Sequence, residues 1–92
     1  MCNQTGQAGT LESNDILIVV EEKSEGYGIQ IELNSIVEVQ FGQSIRQTLS
    51  EGVAREGFTD VQITAVDKGA LDCTIQARLS TALSRIKSFQ VE

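Results

Sequence analysis

The chain has no histidine, no proline and no tryptophan in 92 residues, and only 4% of it is aromatic. Without histidine the usual general base near neutral pH is missing, so neither a Ser-His-Asp triad nor a Cys-His pair can form within the chain. Without proline there is no proline-rich linker. The two cysteines, Cys2 and Cys73, are isolated. They form no C-x-x-C, and no histidine could complete a typical zinc site, so no metal centre is expected. Both read as reduced thiols of a cytoplasmic protein, with a Cys2–Cys73 disulfide as the alternative. No apolar run approaches the ~20 residues that span a bilayer. Met1 to Gln7 lacks the basic and apolar regions of a signal peptide. Basic charge is also scarce: 7 Lys and Arg stand against 13 Asp and Glu, a net charge of −6. Phosphate recognition needs a basic face, so nucleic acid and anionic membranes are poor partners, and a basic protein surface is the natural complement.

What is present fits one small domain. Residues 1–9 are small and polar and read as a flexible N-terminal arm, with a single domain over residues 10–92. Ile16-Leu17-Ile18-Val19-Val20 is apolar on both faces, as suits a covered or central strand. Ile29-Gln30-Ile31-Glu32-Leu33 alternates, and the two runs with the charged loop between them read as a β-hairpin. Ser35 and Glu38 have capping-box spacing and open a helix whose apolar stripe is Val37, Phe41, Ile45, Leu49 and Val53, with Gly57 as its stop. Gly42 and Gly52 interrupt that helix; close packing against the sheet would account for them. Val61 to Ala65 is a third strand, followed by a turn at Asp67-Lys68-Gly69. Residues 71–79 alternate over five cycles and read as a fourth strand, with a short helix over 80–88. Leu71, Ile75, Leu79, Leu83 and Ile86 also have helical spacing, so one long helix is the alternative. The expected fold is α+β: a four-stranded antiparallel sheet with both helices on one face, in the order ββαββα, or ββαβα if the long helix forms. The open face would carry Gln30, Glu32, Gln62, Thr64, Thr74 and Gln76.

Candidates for chemistry are few. Glu21 and Glu22 are paired carboxylates in a loop, where solvated charge is the ordinary reading. No G-x-x-x-x-G-K-[ST] loop is present, and Gly26-Tyr27-Gly28 is too short for a phosphate fingerprint. Cys73 would point inward on a strand and behave as a small hydrophobe. Ser13 stands in Gly9-Thr10-Leu11-Glu12-Ser13-Asn14-Asp15, beside a flexible glycine and ahead of the first apolar run. Ser-Asn-Asp before a strand is an ordinary turn cluster. The functional alternative is an exposed hydroxyl that a modifying enzyme can surround.

Three stretches carry a family resemblance: Gly9 to Asp15; Val39-Gln40-Phe41-Gly42-Gln43-Ser44-Ile45-Arg46; and Asp67-Lys68-Gly69-Ala70-Leu71-Asp72-Cys73-Thr74-Ile75-Gln76-Ala77-Arg78. Together they resemble the acyl carrier (gamma) subunits of citrate lyase over about residues 8–87. The resemblance implies a non-catalytic subunit whose serine, here Ser13, holds a phosphoribosyl-dephospho-coenzyme A group (2'-(5''-triphosphoribosyl)-3'-dephospho-coenzyme A) through a phosphodiester. It implies as partners the alpha subunit, which transfers acyl groups, the beta subunit, which cleaves citryl thioester, a prosthetic-group transferase and an acetylating ligase. Some relatives have a second serine after the first; Asn14 leaves Ser13 as the candidate within the block. Glu12 and Asp15 are expected to help the transferase recognise the site. The related carrier of malonate decarboxylase and a non-covalent adaptor module are the alternatives, and a stand-alone enzyme finds no catalytic group.

Overall fold

In the computed structural model residues 5–36 and 38–90 are described, with only the backbone of residues 38, 39 and 87–90. The order is β1 (Thr5–Gly9), β2 (Ile16–Glu22), β3 (Ile29–Ser35), α1 (Glu38–Arg55), β4 (Val61–Asp67) and α2 (Asp72–Gln90). The strands form one four-stranded sheet in the order β1-β2-β4-β3. Along each strand alternate residues enter the core: Gly6 and Ala8; Ile16, Ile18 and Val20; Ile29, Ile31 and Leu33; Val61, Ile63 and Ala65. Ile45, Leu49 and Val53 of α1 and Ile75, Leu79, Ala82, Leu83 and Ile86 of α2 close that core from one side. The fold is therefore α+β, with four strands and both helices on one face, as the sequence implies. No helix among the described residues is long and apolar enough to cross a membrane.

Three details differ from expectation. First, residues 71–79 do not form a strand; from Asp72 on they are the first half of α2. In the alternating pattern Leu71, Cys73 and Ala77 would all have to be inward, yet all three are exposed. The helical stripe from Ile75 to Ile86 is buried instead. A β-branched residue such as Thr74 costs a helix at most ~0.7 kcal/mol. Burying each Ile or Leu of the stripe contributes roughly 1.5–3 kcal/mol, so the tertiary gain prevails. Thr74 and Gln76 accordingly lie on α2, not on the sheet.

Second, the fourth strand is β1, in the segment read as a flexible arm; residues 1–4 lie outside the described residues. Thr5-Gly6-Gln7-Ala8-Gly9 pairs antiparallel with β2, Gly6 opposite Val20 and Ala8 opposite Ile18. Its inward residues are small because α2 lies directly on them. A Cβ at Gly6 would stand 1.9 Å from the Ala82 carbonyl oxygen.

Third, β2 and β3 are not a hairpin, and the sheet is mixed. β4 inserts between them, antiparallel to β2 and parallel to β3. The cause is α1. It carries the chain from the end of β3 back to the level at which β3 began, so β4 must run in the same direction as β3. The helix starts three residues after Ser35, at Glu38; Val37 lies outside the described residues, as does the Glu38 carboxylate of the expected capping box. Of the predicted stripe, Ile45, Leu49 and Val53 are buried but Phe41 is 53% exposed. Gly57, at φ +90°, does stop the helix. Its amide donates to the Ala54 carbonyl (3.0 Å), the Phe58 amide donates to the Val53 carbonyl (3.1 Å), and Phe58 and Val53 share the core. This is the Schellman arrangement with its hydrophobic contact. Gly52 is small because α2, not the sheet, passes close by: a Cβ there would meet Leu79 Cδ2 at 2.5 Å.

Candidate functional site

Ser13 lies between β1 and β2, at the end of the sheet where β3 and β4 also finish. The Asp15 amide donates to the Glu12 carbonyl at 3.2 Å, closing a turn with Ser13 and Asn14 at its centre. Asn14 has φ +65°, the left-handed backbone that asparagine tolerates better than most residues. The turn therefore supplies a backbone reason for asparagine at position 14. Ser13 itself is exposed, and its hydroxyl has no partner among the described residues.

The backbone around it is tied down, although the sequence suggests a flexible stretch. The Asn14 amide donates to the Lys68 carbonyl (2.7 Å), and the Lys68 amide donates to the Asp15 carbonyl (2.8 Å), extending the β2–β4 ladder past Ile16. The Asp15 carboxylate collects the rest. Its Oδ2 accepts the Thr10 hydroxyl at 2.7 Å and Arg78 Nη2 at 3.0 Å. Its Oδ1 accepts the Ile16 amide at 2.7 Å and Arg78 Nε at 3.1 Å. The Thr10 hydroxyl in turn accepts the Glu12 amide at 3.2 Å. The paired Arg78 fork fastens the turn to α2. The Thr10 hydroxyl, then Arg78 and the Ile16 amide, hold the Asp15 carboxyl down at about 2. Asp15 is thus a structural hub with its oxygens occupied, and of the two acids flanking Ser13 only Glu12 is freely exposed.

A second aspartate anchors the neighbouring junction. Asp67 is 1% exposed; its Oδ2 accepts the Ser35 hydroxyl (2.8 Å) and the Gly69 amide (3.2 Å), and its Oδ1 accepts the Ala70 amide (3.0 Å). Ends of β3 and β4 and the entry to α2 are therefore fixed relative to each other. Neither the Ser35 partner nor the Arg78 partner was legible in sequence, since 32 and 63 residues separate the pairs. Beside this junction Phe41, Ser44, Ile45, Gly69, Ala70, Leu71 and Asp72 line an open groove of about 390 Å³.

The remaining candidates are dispersed. Cys73 is a free, exposed thiol on α2, and Cys2 lies outside the described residues. Glu21 pairs with Lys23 at 3.2 Å on the surface. Among the described residues no group of acids and cysteines could hold a metal.

An exposed, unengaged serine on a fixed turn, away from any catalytic group, suits a carrier. Comparison with known proteins gives the family of the chain as a whole. Residues 3–86 match the family described as "ACP: Malonate decarboxylase delta subunit (MdcD)". The citrate lyase acyl carrier protein of Streptococcus uberis is 52% identical over 82 residues, covering 89% of this chain and 79% of that protein. The namesake from Streptococcus mutans is 48% identical over 88 residues, covering 96% and 85%. The chain belongs to the citrate lyase acyl carrier protein family. As a member of that family it is a non-catalytic carrier subunit. A chain of a Pseudomonas malonate decarboxylase hetero-tetramer, solved in complex with malonate, shares the fold: TM-score 0.58 at 18% identity, covering 94% of this chain and 99% of that one.

Proposed function

We propose that this chain is the acyl carrier subunit of a citrate lyase and that Ser13 is its point of covalent attachment. The observation that carries the reading is the state of that hydroxyl: exposed, without a partner, on a turn held from both sides. A phosphodiester-linked phosphoribosyl-dephospho-coenzyme A group fits there, because the bond needs only a hydroxyl that a transferase can surround. Bound, the group would supply a terminal thiol that holds acetyl or citryl as a thioester. The protein's own part is mechanical. Asp15 and Arg78 fix the direction in which Ser13 leaves the domain, and the ladder through Lys68 keeps the turn against the sheet. Tethering keeps the carried acyl group at high effective concentration beside the alpha (acyl-transferring) and beta (citryl-cleaving) subunits. A prosthetic-group transferase and an acetylating ligase complete the set of partners.

Intact-protein mass after co-expression with the transferase tests the attachment. The wild-type chain should gain the full group and Ser13→Ala should gain nothing; a modified Ala variant would sink the assignment. A second reading, carrier of a malonate decarboxylase, is favoured by the family description and the shared fold. Citrate cleavage after mixing the loaded chain with purified alpha and beta subunits separates the two readings.

A further inference from the structure

Ile36, Phe41 and Leu71 are large apolar side chains left 68%, 53% and 69% exposed. Single exposed apolar residues are normal, but several around one groove are the mark of an interaction surface. Phe41 and Leu71 line the 390 Å³ groove together with Ile45 and Ala70. Ile36 adjoins it: a Cβ at Gly69, in the groove lining, would lie 3.8 Å from Ile36 Cδ1 and 3.6 Å from Asn14 Oδ1. The patch therefore borders the turn that presents Ser13. Leu11, 56% exposed, adds a further apolar side chain on that turn.

We propose that this surface is the docking face for the catalytic subunits that work on the carried group. They would meet it with an apolar anchor rimmed by Lys or Arg. The proposal rests on the carrier reading above. Charge selects the occupant. Glu12 on the turn and Asp72 on the groove edge are exposed acids, Asp15 is already paired with Arg78, and Lys68 is the basic residue in the adjoining turn. The whole chain carries −6, so a second copy would be repelled. A phosphate-bearing arm folding back past Asp72 and Glu12 would be repelled as well. A basic rim on a partner protein is attracted, and steering of this kind raises association rates. Buried aromatic and aliphatic anchors at the centre of such a face carry most of the binding energy.

The unmodified chain, titrated calorimetrically into purified alpha and beta subunits, provides the test independently of Ser13. Phe41→Ser with Leu71→Ser should weaken Kd at least tenfold. Asp72→Lys should weaken it several-fold, and Tyr27→Ser, at the opposite end of the sheet, should leave it within twofold. All three serine substitutions are at exposed positions, and circular dichroism checks that the fold is kept. An unchanged Kd in the double variant, or no binding by the wild type, overturns the docking face. So does a wild-type dimer that the double variant abolishes, which gives the face to a second copy. NMR shifts at Phe41 and Leu71 on loading the isolated chain would give it to the arm and overturn it too. A chain that gains no mass at Ser13 while the double variant loses docking overturns only the attachment.

Discussion

At one end of the sheet the β1–β2 connection is held by Asp15; at the other the β2–β3 connection is held by Asp60. The chemistry is alike. Asp60 Oδ1 accepts the Gly26 amide (3.1 Å) and the Gly28 amide (2.9 Å), and its Oδ2 accepts the Thr59 hydroxyl (2.8 Å). The Gly28 amide first, and then the Thr59 hydroxyl, lower the Asp60 pKa. What differs is the surroundings. Near Asp60 the one large exposed apolar side chain among the described residues is Tyr27, whose hydroxyl donates to Gln62 (2.7 Å) and whose ring lies 5.6 Å from Lys23 Nζ. Near Asp15 the apolar side chains are left unpaired in an open groove beside an unengaged serine. Both ends are tied by an aspartate, and the one at the Ser13 end also holds an arginine. At the Ser13 end, several large apolar side chains of the described residues are left exposed around one groove.

The sharpest way to break this comparison is Ser13→Ala. It should remove all covalent loading, read by intact mass, while leaving the melting temperature unchanged, because the exposed Ser13 hydroxyl has no hydrogen bond among the described residues. The next largest effect separates two glycines with nearly the same backbone, Gly9 at φ +102° and Gly26 at φ +97°. A Cβ at Gly9 would stand 1.8 Å from the Ile16 carbonyl oxygen, whereas at Gly26 it would meet nothing within 4 Å. Gly26→Ala should cost only the left-handed strain, about 1 kcal/mol. Gly9→Ala adds a backbone collision and should cost ~3 kcal/mol or more by urea unfolding. Equal losses would mean that the Ser13 end yields as easily as the other.

Acid sharpens the comparison further. The Asp15 carboxyl is at about 2 in the fold against an ordinary 3.8. Folding therefore favours its charged form. Its contribution is complete above pH 3.8 and is lost as pH falls from there towards 2. Thermal melts across that window should fall steadily for the wild type and less steeply for Asp15→Asn, which has nothing there to protonate. The smallest effect belongs to Tyr27→Phe, which removes one exposed hydrogen bond. It should change stability by under ~0.5 kcal/mol and leave loading untouched.

Much of this was legible in local sequence. Ile16 to Val20, apolar on both faces, reads as an inner strand, and β2 does lie between β1 and β4. Gly57 reads as a helix stop and is one. Two of the failures concern segments whose local pattern was weak or double; the third, the pairing of β2 with β3, was decided by where α1 returns the chain. Thr5 to Gly9 has no large apolar residue, so its alternation of Gly6 and Ala8 carried no signal until α2 was seen to rest on it. Residues 71–79 satisfied both periods. The turn at Ser13 contained the right residues, but the Arg78 fork that orders it comes from 63 positions away.

The residues by themselves determined the class of fold, the absence of histidine and the net negative charge, and the resemblance of the G-T-L-E-S block and its companions to a known family pointed to the candidate serine. Those properties are set by composition, by periodicity over a few residues and by short contiguous motifs. The insertion of β4 between β2 and β3, the helical state of residues 72–79, and the clamp of Asp15 by Arg78 were settled only in three dimensions. Each depends on which distant surfaces meet, and burying one apolar side chain across such a contact outweighs the few tenths of a kcal/mol that separate local preferences.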